Sequence, residues 1–144
     1  GFRAYSPVTT STDPAPGTWD KKSVIILDEI VTGPARLVLP QLQVRTLELT
    51  RYSVVKIGQS VHPLRRWRKH RRSQRHKWNR MVVLYSTSSH KSVCAVERAL
   101  ISTLKEMKPS ACRNIAPGGE GVNNPSSYNR FYIYALVGSK RSQA

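Results

Sequence analysis

The chain has 144 residues, with 24 Lys and Arg against 8 Asp and Glu, and its formal net charge is +16. This length allows one domain with a modest core. The excess of cations predicts a polyanionic partner, and nucleic acid fits best because contacts to phosphates release counterions. A membrane partner is disfavoured, since the sequence has no apolar run of spanning length and no basic helix with a clean apolar face. The two cysteines are too few for a disulfide scaffold and lack zinc-site spacing.

The composition divides the chain into a tail and a domain. Residues 1–20 are rich in Pro and Thr and are predicted to be extended, whereas residues 21–144 are predicted to form a nucleic-acid-binding domain. Near the start, Arg3-Ala4-Tyr5-Ser6 is similar to a mitochondrial presequence cleavage site. This favours a location in mitochondria or another nucleic-acid compartment, where a ribonucleoprotein partner would hold the tail.

Hydrophobic patterning predicts short strands interleaved with two helices, which is typical of a small α+β or α/β domain. The predicted strands are 23–31, 36–39, 42–49, 52–57, 81–85 and 131–137. The first helix is predicted from Pro63 to about Arg75, because Pro suits the first turn of a helix. The second is capped by Ser89 or Ser92 and is ended by Pro109.

Glu97 is placed unusually within the second predicted helix. Its apolar neighbours on the helical wheel are Val93, Leu100, Ile101 and Leu104. A buried carboxylate costs several kcal/mol unless it meets a partner, so Glu97 is predicted to bind a metal or to pair with an Arg.

The first predicted helix carries a dense run of cations, with nine Lys and Arg between residues 65 and 80. Arg66 and His70 lie four residues apart and therefore share one face. Arg suits a phosphate because its planar fork holds two oxygens and stays charged. The other predicted phosphate contacts are Arg65, Arg68, Lys69, Arg71, Arg72, Arg75 and Lys77. A localisation signal or a solvated helix face would give the same pattern.

In their order and spacing, these residues resemble the GIY-YIG nuclease family over about residues 42–121. Lys56-Ile57-Gly58 resembles the second signature of the family, and Arg66 and His70 match its catalytic Arg and the His that follows. Glu97 and Asn114 match the metal-binding Glu and the later Asn. The resemblance implies a three-stranded antiparallel sheet flanked by helices. It also implies hydrolysis of one DNA strand with Mg²⁺ or another divalent cation, and a nucleic-acid contact for Asn114.

The sequence departs from the family at its tyrosines. No Gly-Ile-Tyr precedes Lys56, and Lys56 itself stands where the second tyrosine belongs. The catalytic base is therefore sought at Lys56 or among the tyrosines Tyr52, Tyr132 and Tyr134. Three interpretations stay open: a metal-dependent endonuclease, a nuclease fold that serves as a structural RNA-binding part of a ribonucleoprotein such as a mitochondrial ribosome, and a cationic toxin.

Overall fold

A computed structural model describes residues 25–27, 29–52, 54–72, 77–115 and 122–142. Its strands are β1 Ile25–Ile26, β2 Val54–Ser60, β3 Trp78–Thr87 and β4 Phe131–Gly138. Its α-helices are α1 Ala35–Leu49, α2 Pro63–Arg72 and α3 His90–Met107. The predicted α+β class is confirmed. The tail predicted for residues 1–20 lies outside the described residues.

The sheet has the strand order β1-β3-β4-β2. Strand β4 lies between β2 and β3 and is antiparallel to both, while β1 adds to β3 in the parallel sense. The expectation of a three-stranded antiparallel sheet is therefore wrong in detail: a fourth strand makes the sheet mixed. This added strand has only two residues, and Val31 extends the same parallel pairing through a single bridge to Tyr85.

The strands predicted at 36–39 and 42–49 are wrong, because this whole segment is the helix α1. Its buried side chains are Val38, Leu42 and Thr46, which recur every four residues and face α3. The partial alternation of apolar residues in the sequence suggested a strand, and Pro40 suggested a break. Burial of the i, i+4, i+8 stripe outweighs the cost of a Pro inside the helix.

The strand predicted at 23–31 is much shorter in the structure, where only Ile25–Ile26 forms β1 and Val31 makes an isolated bridge. The other predicted strands and the two predicted helices are present with shifted ends. Helix α2 ends at Arg72 rather than near Arg75, and residues 73–76 lie outside the described part. Helix α3 is capped by Ser89, whose side chain accepts a 3.1 Å hydrogen bond from the backbone N–H of Ser92. No helix in the described part of the chain combines the length and apolar character that a membrane span requires.

The sheet separates two apolar layers. Helices α1 and α3 cover one face, where side chains such as Val55, Ile57 and Ile133 are buried. Helix α2 covers the other face through Leu64 and Trp67. Because side chains alternate along a strand, neighbouring residues of β2 point into different layers.

The outer edge of β2 is covered by residues 111–114. Val55 donates its N–H to the carbonyl of Ala111 at 2.8 Å and accepts from the N–H of Arg113 at 2.9 Å. Two residues along, the Asn114 side chain continues this ladder: its Oδ1 accepts from the Ile57 N–H and its Nδ2 donates to the Ile57 carbonyl, both at 2.8 Å. The amide of Asn114 therefore closes an edge that would otherwise present unpaired backbone groups.

We expect Asn114→Ala to lower the free energy of unfolding by about 2–3 kcal/mol, because two buried backbone groups of Ile57 lose their partner. Urea denaturation measures this loss, and Asn129→Ala, at an exposed position, is the matched control with no resolvable change. A variant at Asn114 that is as stable as the parent but binds nucleic acid less tightly would show that this amide contacts the ligand.

Candidate nucleic-acid site

Helix α2 presents a stripe of four exposed cations to solvent. Arg65, Arg68, Lys69 and Arg72 lie at i, i+3, i+4 and i+7, and all four are exposed. Leu64 and Trp67 are buried against the sheet, so the stripe points away from the core. Here we call these four residues the α2 stripe. Its long, solvated side chains can follow a phosphate backbone without a fixed geometry.

The other predicted contacts of this segment differ in exposure. Lys77 is exposed, whereas Arg71 is half-buried. Arg75 lies outside the described residues. Arg66 and His70 are also half-buried, on the flank of α2 between the stripe and the sheet.

His70 packs against a tyrosine of the central strand. The centroids of the His70 and Tyr134 rings are 6.2 Å apart, and their planes are tilted by 59°. Tyr134 is only 2% exposed. Since Arg66 precedes His70 by one helical turn, it lies on the same flank but nearer the start of α2. The structure thus brings the predicted Arg and His to the face of the sheet that carries Tyr134.

Gly58 makes room for the Tyr134 phenol. The two residues are opposite one another in the pairing of β2 with β4. A Cβ atom added at Gly58 would lie 2.5 Å from both Cζ and the hydroxyl oxygen of Tyr134, well inside van der Waals contact. Glycine is therefore required at this position by the close approach of the phenol.

The other candidate bases are placed differently. Tyr132 lies two residues before Tyr134 on β4, so it points to the same face of the sheet and is buried in the same layer. Lys56 lies on β2 opposite Leu136, two residues before Gly58, and is half-buried. Tyr52 is in a 3-10 turn, Thr50–Tyr52, that precedes β2 and is not part of a strand.

Glu97 is buried, as its position on the helical wheel predicts, and is 1% exposed. Its Oε1 accepts a 2.7 Å hydrogen bond from Nε2 of Gln59. The same Gln59 nitrogen lies 3.7 Å from Sγ of Cys94. Sequence reasoning missed Gln59, although its position next to Gly58 on an alternating strand is a usable signal that it faces α3.

The predicted site is therefore divided between the two faces of β2. Glu97 and Gln59 lie in the layer under α3, whereas His70 and Tyr134 lie in the layer under α2. The two groups approach one another at consecutive residues of β2, Gly58 and Gln59. The described residues contain no cluster of three or more His, Cys, Asp or Glu side chains arranged to hold a metal.

The two groups of predicted site residues lie near the same edge of the sheet. Strands β2 and β3 end at Ser60 and Thr87, and both Ser60 and Ser86 pair with Tyr132 at the start of β4. Helices α2 and α3 begin directly after these strands. We call this edge the carboxyl edge.

No family model, curated protein or solved structure matches this chain.

We expect Gly58→Ala to destabilise the fold by about 1–3 kcal/mol, since the new methyl group overlaps the Tyr134 ring. The double variant Gly58→Ala/Tyr134→Leu should be less destabilised than the sum of the two single variants, with a coupling of at least about 1 kcal/mol. Urea denaturation of the four proteins measures the cycle. Additive losses would mean that the two side chains do not compete for the same space.

Proposed function

We propose that this protein is a metal-dependent endonuclease of the GIY-YIG type in which the first signature strand comes last in the chain. The observation that carries the proposal is the pairing of Tyr134 with Gly58, with His70 against the phenol. Tyr132-Ile133-Tyr134 on β4 then takes the part of Gly-Ile-Tyr, and Lys56-Ile57-Gly58 on β2 that of the second signature. This assignment supplies the tyrosine that the sequence order had left unassigned.

The strand order supports the assignment. Strands β2, β4 and β3 form a three-stranded antiparallel array within the larger sheet, with helices on both faces. This is the arrangement that the resemblance implies, and a strand contributes the same side chains to it whichever end of the chain it comes from.

Each polar residue has a chemical part in this proposal. The Arg66 guanidinium holds the oxygens of the scissile phosphate and stabilises the charge that develops on them. Tyr134 in its phenolate form, or alternatively Lys56 in its neutral amine form, takes a proton from the attacking water, and His70 orients the Tyr134 ring. The α2 stripe holds the flanking phosphates of the bound strand.

Glu97 would provide one carboxylate for Mg²⁺, which proteins commonly bind through one or two carboxylates together with water and substrate phosphate oxygens. Gln59 fixes one oxygen of that carboxylate. When bound, the metal would stabilise negative charge on the phosphate and on the leaving oxygen. Because Glu97 and Arg66 lie on opposite faces of the sheet, one phosphate would come near both groups only at the carboxyl edge, where β2 ends.

A second candidate function is a structural RNA-binding protein with this fold and no hydrolysis. The near-complete burial of Glu97 against Gln59 favours it, because a carboxylate closed into the core is poorly accessible to a hydrated cation. Lys56 in place of the second signature tyrosine favours it as well. The cation excess serves both functions equally.

We expect Glu97→Gln and Tyr134→Phe each to reduce cleavage of plasmid DNA or RNA with Mg²⁺ by at least about a hundredfold, with affinity nearly unchanged. The exposed Tyr128, changed to Phe, is the matched control for the loss of one hydroxyl. EDTA should abolish the parent's cleavage. A parent that cleaves neither polymer would exclude the endonuclease and leave the structural candidate.

We expect Arg66→Ala to reduce cleavage far more than binding, because one phosphate contact among many is a small share of the affinity. Arg68→Ala, on the exposed stripe, should instead weaken binding and reduce the slope of log K against log salt by about one. Fluorescence anisotropy at several salt concentrations, together with single-turnover cleavage, separates the two effects. Equal loss of cleavage in both variants would make Arg66 an ordinary backbone contact.

A further inference from the structure

A hydroxyl-lined cavity of about 330 Å³ opens at the carboxyl edge, on the far side of Tyr132 from Ser60. It lies where β3 ends, where α3 begins and where the chain enters β4. The residues of its lining that carry the argument are Ser86, Thr87, Ser88, Ser89, Ser92 and Arg130. None of the residues that line it is acidic.

Arg130 is fixed in this cavity by a buried hydroxyl. Its Nε donates a 2.7 Å hydrogen bond to Oγ of Ser86, which is fully buried. Among the described residues, neither terminal nitrogen of this guanidinium has a hydrogen-bond or ion-pair partner, and the hydroxyl hydrogen of Ser86 has no acceptor. A buried hydroxyl with an unused hydrogen and an anchored guanidinium thus face the same space.

The hydroxyl groups of Thr87 and Ser89 also keep their hydrogens available for donation. Thr87 Oγ1 accepts from the N–H of Ser89, and Ser89 Oγ accepts from the N–H of Ser92, so each oxygen is used as an acceptor. Their hydrogens can still be donated to a ligand. The start of α3 adds the positive end of a helix dipole. A cavity that offers donors and positive charge, and no carboxylate, selects a tetrahedral oxyanion.

We infer that this cavity binds a second backbone phosphate of the nucleic acid, about two strand spacings, or roughly 10 Å, from the scissile phosphate at the end of β2, because β4 lies between β2 and β3. The inference rests on the proposed function, since it takes the bound nucleic-acid strand to run along the carboxyl edge from the end of β2 to the end of β3. This cavity differs from the α2 stripe, because its arginine is held by Ser86 whereas the cations of the stripe are all exposed. It would fix the register of the bound strand, whereas the stripe supplies affinity.

The first arm of the test uses inorganic phosphate as the probe. Phosphate titrated into the ¹⁵N-labelled protein should give saturable shifts of the backbone amides between Ser86 and Ser92. Arg130→Gln should weaken this binding at least about tenfold, and Arg98→Gln, at an exposed site on α3, should leave it unchanged. Ser86→Ala should weaken it several-fold, because Arg130 loses its anchor, and serves as the second variant if Arg130→Gln does not fold.

The second arm uses single-stranded DNA and the matching RNA, measured by anisotropy in the absence of divalent metal. Arg130→Gln should lower affinity several-fold and reduce the salt slope by about one, with Arg98→Gln as the control. Arg130→Lys should restore the slope but not the full affinity, since Lys lacks the planar fork.

The outcomes separate this inference from the proposed function. If the cavity binds phosphate but Arg130→Gln leaves the affinity for nucleic acid unchanged, the cavity is a site for a free anion. That result would overturn the inference. Failure of both arms would overturn it as well. A parent that binds through Arg130 but never cleaves would remove the endonuclease and leave the second phosphate site standing.

Discussion

The pairing of β4 with both β2 and β3 is the constraint on which the rest of the structure depends. All eight residues of β4 are buried, and the strand forms the middle of the antiparallel array. Without it, β2 and β3 would be two parallel strands with no partner between them. Their ends at Ser60 and Thr87 would then not be held beside one another, and the two helices that follow would not start at one edge.

This dependence has a kinetic consequence. The residues of β2 pair with residues near the end of the chain, so nearly the whole domain must be available before the central strand can dock. Such long-range pairing carries a large loop-closure cost before its contacts are gained, which favours slow folding. The amide of Asn114 meanwhile protects the outer edge of β2, which would otherwise offer a template for another strand.

Under the proposed function, the charge distribution would divide affinity from chemistry. The cations of the α2 stripe are solvated and pay little for their position, so they suit a non-specific and salt-sensitive grip. Arg66 and Arg130 are half-buried, and Glu97 is buried between α3 and the sheet. Groups that are fixed by the fold can hold a phosphate in one orientation, which is what a reaction needs and what affinity alone does not.

The α+β class, several elements and the burial of Glu97 followed from the sequence by itself. The helical spacing around Glu97 predicted that it lies among buried apolar side chains, the sequence predicted a helix that begins at Pro63, and Ser89 was one of the two residues predicted to cap α3. These features depend on residues within a few turns of one another. Local periodicity missed α1, because its apolar spacing is ambiguous until α3 is present to cover one side.

Only the tertiary structure decided which of the candidate residues lie close together. It packed Tyr134 against Gly58 and His70. It also formed the hydrogen bonds between Glu97 and Gln59, between Asn114 and Ile57, and between Arg130 and Ser86. The two members of each pair are separated by dozens of residues in the chain. Their meeting is set by strand order and register, which depend on the packing of the whole sheet and leave no periodic signal in the sequence.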